Sequence, residues 1–269
     1  MQLVGFALAV LIGLSLGMLG GGGSTLTVPI FVYVLGFAPK DAIAMSLPVV
    51  GLTSLIGAFS HWRNGNLQIR TALLFGAVAM LGSYVAARYL APLMSGALQL
   101  ALLAIVMLAA AISMFRSAGR RVSAGSAEER PVVLPLLGFV ALGVGAMTGL
   151  VGVGGGFLIV PALVILGRVP MKEAIGTSLL VIAMNTTSGY LGYAGRTTME
   201  WGFLAGFTVL AIVGILFGSW LVRFVSQAQL KRAFAVFLIC VGAFVLFQNR
   251  DALLFTTDVP APADAAAPR

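Results

Sequence analysis

Gly149-Leu150-Val151-Gly152-Val153-Gly154-Gly155-Gly156-Phe157-Leu158-Ile159-Val160-Pro161 stands near the middle of the chain, and a second copy stands 132 residues earlier. The earlier copy is Gly17-Met18-Leu19-Gly20-Gly21-Gly22-Gly23-Ser24-Thr25-Leu26-Thr27-Val28-Pro29. Glycine takes the first, fourth, sixth and seventh places of both, and Leu, Val and Pro close both. The match continues without a gap. Lys40-Asp41-Ala42-Ile43 corresponds to Lys172-Glu173-Ala174-Ile175, and Ser46-Leu47 to Ser178-Leu179. Residues 17–50 and 149–182 are identical at 14 of 34 positions, far above a chance match at one fixed offset. The chain is therefore two copies of one unit, each opened by a glycine run.

The medium in which this unit folds follows from composition. Hydrophobic residues make up 60% of the chain and charged residues 9%, with a mean hydropathy of +1.07. A soluble domain carries about 25% charged residues, so the sequence reads as an integral membrane protein. Charges divide it into uncharged runs at 1–39, 42–62, 71–87, 89–115, 131–167, 174–195, 201–222 and 233–249. Each is long enough for a spanning helix of about 20 residues. The first and fifth are nearly twice that length, and these two hold the glycine motifs. Each is either one crossing with a re-entrant piece or two short crossings, which gives eight to ten crossings, with ten preferred. Spanning β-strands would be alternating segments of about ten residues, and the runs are too long and too uniformly apolar for that. The fold class is all-α and polytopic.

The expected organisation is a first transmembrane repeat at 1–115, a cytoplasmic linker at 116–130, a second repeat at 131–250 and a disordered Ala/Pro-rich tail at 251–269. The first helix covers 3–19 and the four glycines break it. Residues 24–36 resume as a short piece whose start Ser24 or Thr25 would cap. Pro39 and Asp41 open the next helix, which runs to about Ser60, and His61 to Asn66 form a polar loop with Trp62 as interfacial anchor. With five crossings per half the two repeats insert with opposite orientations, the inverted plan of many secondary transporters. Eleven of the 16 Lys and Arg residues then fall on the linker side, which makes that side cytoplasmic. The N-terminus does not read as a signal peptide, because it lacks a basic start and its pattern recurs mid-chain.

The chemistry is sparse. Neither glycine run is followed by Lys-Ser or Lys-Thr, no zinc spacing or nucleophile elbow is present, and there is one histidine. No enzyme, cofactor or metal site is expected. The net charge of +8 sits in loops without aromatic interleaving and does not indicate nucleic acid. Cys240 lies in an apolar run and is expected to be core packing. The glycine runs allow two readings. Small residues let membrane helices approach closely. Alternatively, successive backbone N–H groups at a break form an anion nest, and a helix start adds a positive dipole end, so that an anion is bound without a costly buried Lys or Arg. Asn185, Thr186, Thr187 and Ser188 form a polar run inside a membrane helix, with Thr53 and Ser54 at the first two corresponding places; they either join helices or line a path. Ser46 and Ser178 either bond their own helix carbonyls or face substrate.

Gly149 to Pro161, followed by Lys172-Glu173-Ala174-Ile175-Gly176-Thr177-Ser178 and Asn185, resembles the TauE/SafE family of sulfite exporters. The first half carries the motif in weaker form, with Ser24 for the last glycine and Ala44-Met45 for Gly-Thr. The likeness covers about residues 1–248. It implies an inner-membrane secondary transporter of bacteria that moves sulfite, sulfonates or related anions. It also marks Gly20, Gly22, Gly23, Gly152, Gly154, Gly155 and Gly156 as site residues; the polar residues Ser24, Ser46, Ser178, Asn185 and Thr186, read from the sequence itself, complete the candidate substrate site. The expected partners are a small anion and the lipid bilayer; a homo-oligomer is compatible with this plan. An importer of an organosulfonate or other small anion, and a structural membrane protein without substrate, are the rival readings.

Overall fold

In hydrocarbon every main-chain polar group needs an internal partner, and a helix supplies it within one segment. The computed structural model describes residues 2–118, 134–151, 155–167, 169–193 and 200–248, and among these there is no strand. Ten helices follow one another: α1 (Gln2–Leu19), α2 (Gly22–Pro29), α3 (Pro39–Arg63), α4 (Ile69–Val85), α5 (Gly96–Ala118), α6 (Leu134–Val151), α7 (Gly156–Ile165), α8 (Met171–Tyr193), α9 (Trp201–Leu221) and α10 (Gln227–Gln248). Four helical segments, Pro39–Arg63, Ile69–Leu93, Trp201–Phe224 and Gln227–Gln248, are long and apolar enough to cross a bilayer. Large apolar side chains such as Leu93, Phe139 and Phe224 point outward, as a lipid-facing surface requires. The expected linker lies outside the described residues from 119 on, and the tail lies wholly outside them.

The first long apolar run is a hairpin. Gly20 takes φ +71°, the chain reverses, and α2 returns along α1. Gly23 backs onto Ile12 and Leu16, and the Leu35 side chain reaches Gly5. Pro29 supplies no N–H, and the hydrogen-bond ladder widens directly after it, with Leu35 N donating to the Ile30 carbonyl at 3.0 Å. Gly155 repeats the Gly23 contact in the second half, lying against Val144 and Thr148 of α6.

Contacts between the halves repeat under the offset of the two motifs. Gly13 and Gly17 of α1 lie on the α9 backbone at Ala211, Ile215 and Ser219; Gly145 and Gly149 of α6 lie on α4 at Ala79 and Ser83 and on Ala87 just beyond its end. Both pairs run in the same direction. Along α3 and α8 the direction is opposite: Gly57 meets Leu179, Gly51 meets Thr186, and Leu47 meets Gly189. Small residues permit these approaches, as is usual where helices must associate without help from water.

The two ends of the bundle are distinct. At the end where α5 finishes, Gln68 Nε2 donates to Glu173 at 2.7 Å, Lys172 Nζ to the Arg223 carbonyl at 3.3 Å, and Met171 N to Gln227 at 3.1 Å. This is called the linker end below. At the far end Gly96 lies on Pro39. Trp62 and Trp220 are exposed near the linker end and Trp201 at the far end, the two interfacial levels where tryptophan is enriched.

Two expectations are corrected. α3 does not stop near Ser60 but continues to Arg63, so His61 is helical and fully buried. The helix closes with Gly65 at φ +70°, Gly65 N donating to the Trp62 carbonyl at 3.0 Å and Asn66 N to the His61 carbonyl at 2.9 Å. That bond pair is the Schellman termination, and glycine is preferred at its left-handed position. No atom lies near a Cβ built on Gly65, so any cost of a side chain there is conformational. Gly65→Ala is expected to lower stability by about 1 kcal/mol, read by thermal unfolding in detergent; an unchanged transition would mean that this turn does not hold α3. Cys240, expected in the core, is exposed on α10, because an apolar run facing lipid has the same composition as one facing protein.

Candidate substrate site at the glycine hairpins

The tips of the two hairpins meet. A Cβ on Gly21 would overlap the backbone of Gly156, and one on Gly156 would overlap Gly21 and the Ile182 side chain of α8. Gly21 is the N-cap of α2 and Gly155 the N-cap of α7, and neither helix start carries a side-chain cap. The first amides of a helix have no intrahelical partner, and each helix start carries roughly half a positive charge. α2 runs from this point toward the far end and α7 toward the linker end. Two positive helix starts thus face each other inside the protein.

The neighbourhood is polar but uncharged. Gly20 packs on α8, where its Cβ would stand 2.6 Å from Ser178 Oγ and 3.2 Å from Ile175 Cα. Ser24 does not cap α2: its Oγ donates back to the Gly21 carbonyl at 2.8 Å. Ser46 and Ser178 donate to Ile43 and Ile175 carbonyls at 2.7 and 2.8 Å, the own-helix bonds that their spacing allows. Thr186 does the same toward Ile182 at 2.7 Å. Asn185 differs. Its main-chain carbonyl accepts from Ser83 Oγ of α4 at 2.9 Å, while both ends of its fully buried side-chain amide lack a partner. Thr53, at the corresponding place of α3, is buried with an unpartnered hydroxyl. Ser188 joins helices, donating to the Met80 carbonyl at 2.7 Å. Among the described residues no Asp, Glu, Lys or Arg is buried, so an anion here would be held by amides, hydroxyls and helix ends alone.

The structure thus brings Gly20 against Ser178 and Gly156 against Gly21. Gly22 is the least confined of the tip glycines, since the atoms nearest to its Cβ would be side-chain atoms of Leu19 and Phe237, at 3.1 and 3.3 Å. Gly152 and Gly154 lie outside the described residues. Three groups were missed by sequence reasoning: Gly21, which has Val153 as its counterpart, His61, and Ser219. Gly65 as a helix terminator was the signal that would have placed His61 on α3. Ser219 carried none.

Comparison with known proteins gives a consistent picture. The family described as Sulfite exporter TauE/SafE matches residues 5–245. A protein of Xylella fastidiosa (strain 9a5c), named Probable membrane transporter protein, is 34% identical over 245 residues, covering 89% of this chain and 92% of the relative. Probable membrane transporter protein YdhB of Bacillus subtilis (strain 168) is 26% identical over 243 residues, 88% of this chain and 97% of that one. Probable membrane transporter protein MJ0441 of Methanocaldococcus jannaschii is 27% identical over 219 residues, 78% of this chain and 80% of that one. No solved structure matches the chain.

Proposed function

The chain belongs to the TauE/SafE family of membrane transporters, and from that premise we propose that it exports a small sulfur-containing oxyanion, most simply sulfite, across the bacterial inner membrane. The observation that carries this reading is the head-to-head meeting of two uncapped helix starts at Gly21 and Gly156. Like partial charges close together repel, and an anion beside both helix starts offsets the repulsion.

The two halves work as inverted repeats with alternating access around this point. The opposite run of α3 and α8, which are counterparts in the repeat, supports the inversion. Among the described residues Arg63, Arg70, Arg116, Lys172, Arg223, Lys231 and Arg232 lie toward the linker end and Lys40 and Arg88 toward the far end. That excess speaks for a cytoplasmic linker end. Export needs no ATP: an anion leaving a negative interior gains about 2.3 kcal/mol per charge per 100 mV.

Close packing alone would also select glycine at Gly21 and Gly156, and Gly22 separates the two readings. Gly22→Ala is expected to fold and to lose anion binding, because its nearest neighbours are side chains, which can give way, while the methyl group stands at the helix start. Thermal unfolding with sulfite, thiosulfate, sulfate, taurine and chloride measures this. A ligand at one hundred times its Kd adds about 2.7 kcal/mol to the folded state. A sulfite-dependent rise in the wild type that Gly22→Ala abolishes supports the site. A rise that survives Gly22→Ala returns the glycines to packing, and a rise with taurine alone exchanges sulfite for a sulfonate.

A further inference from the structure

The linker end of α1 holds a polar cluster that the glycine site does not use. Gly17 is its centre. His61 Nε2 lies 3.1 Å from the Gly17 carbonyl oxygen. A carbonyl only accepts, so Nε2 carries the hydrogen, and in neutral imidazole Nδ1 is then a bare acceptor. Nδ1 is buried without a partner, and the whole residue is 0% exposed. Ser219 meets the same glycine from α9, with its main-chain N 2.8 Å from the position of a Gly17 Cβ, and its Oγ is buried without a partner. One turn earlier on the same two helices Gly57 packs on Ile215. The cluster therefore offers one buried acceptor and one buried donor, neither satisfied. Leaving such groups unpaired costs stability.

The other half acts as an internal control. The repeat offset puts Gly149 at the place of Gly17, Tyr193 at that of His61 and Ala87 at that of Ser219. Gly149 packs on Ala87, and Tyr193 OH donates to the Leu150 carbonyl at 3.5 Å. The second corner thus keeps the tie from helix to helix end with tyrosine and alanine. Packing does not demand histidine and serine at the first.

We propose that His61 and Ser219 form a station at the linker end of the substrate path that takes up one oxyanion together with one proton. This rests on the transport reading above. The Ser219 hydroxyl donates to one oxygen of the anion. The proton, drawn from water at the linker end, stands between Nδ1 and a second oxygen. For sulfite the bound composition is hydrogensulfite, whichever atom holds the proton. The imidazole bonds the Gly17 carbonyl of α1, the His61 Cβ lies against Gly176 of α8, and Ser219 of α9 packs on that same Gly17. The charged groups nearby stand toward the surface: Glu173 bonded to Gln68, Lys172 on the Arg223 carbonyl, Arg223 on Asn64, and exposed Arg63.

Calorimetric titration of the purified full chain with sodium sulfite across the pH range in which hydrogensulfite ionises tests this, with His61→Tyr and Ser219→Ala as variants. Both substitutions install the residue of the other corner, and thermal unfolding verifies that they fold. Wild-type affinity is expected to fall about tenfold per pH unit once sulfite has lost its proton, because one proton is taken up per anion. Heats measured in buffers of different ionisation enthalpy should count that proton. His61→Tyr is expected to flatten the profile and weaken binding by about tenfold or more at the acid end, and Ser219→Ala to weaken binding with the slope kept. A His61→Tyr variant with the wild-type slope overturns the station, as does sulfite binding that ignores pH; the latter leaves the transport reading standing. If sulfite does not bind but hydrogenphosphate binds with a His61-dependent slope, the station stands and the proposed substrate falls. Binding of neither anion removes both.

Discussion

Gly21→Ala is expected to leave little folded protein and no transport. Most overpacking substitutions are relieved by turning a side chain, and typically cost about 1–3 kcal/mol. Here the new methyl group would overlap main-chain atoms of Gly156, which cannot rotate away. Relief requires the two hairpins to separate, and Gly23 and Gly155 hold each hairpin against its own first helix. We expect a loss of about 3 kcal/mol or more, a large share of the roughly 5–15 kcal/mol available to a folded protein. Gly143→Ala is the control: Gly143 is an exposed glycine of α6 with nothing near its Cβ, and the exchange should be neutral or slightly stabilising. Yield of monodisperse protein and the unfolding midpoint measure both. A Gly21→Ala protein as stable as the Gly143→Ala control would show that the tips do not touch.

Asn185→Leu is expected to move stability and transport in opposite directions. The Asn185 amide is fully buried and has no partner at either end, and such a group costs about 1–3 kcal/mol. Leucine keeps the branching at Cγ and, though larger, has no polar atom to satisfy, so the variant should unfold later by an amount up to that order, less what the added volume costs. Sulfite efflux from loaded vesicles should fall by about tenfold or more, the loss expected when a buried amide recognises a polar substrate. Wild-type efflux with raised stability would remove Asn185 from the path and leave it an unexplained cost. Lowered stability would mean that the amide has a partner or that leucine overpacks the site, and Asn185→Ala, which adds no volume, separates the two.

The glycine repeat, the uncharged runs and the proline starts made the helices legible. Lipid forces the main chain to bond within each segment, so a long uncharged run can hardly be anything but helix. Pro39 and Asp41 mark the start of α3 and Glu173 the first turn of α8, and the glycine break ends α1 where the sequence puts it. Own-helix bonds of Ser46 and Ser178 were within reach too, because a residue and the carbonyl one turn before it are fixed by helix geometry.

Faces and partners were not legible. Inside a membrane the neighbour of an apolar side chain is either protein or lipid, and both are apolar, so hydrophobicity does not tell them apart; Cys240 was misplaced for that reason. The same holds for the glycines, whose spacing allows packing and binding alike and does not tell that Gly21 stands against Gly156. His61 was read as part of a polar loop because its partner, the Gly17 carbonyl, lies 44 residues away in sequence. By itself the sequence determined the medium, the helices and the duplication, all of which depend on local bonding and composition. Only the tertiary structure decided that the two helix starts face each other and that one histidine nitrogen and one serine hydroxyl stand without partners beside the end of α1, because those facts arise where segments distant in sequence meet.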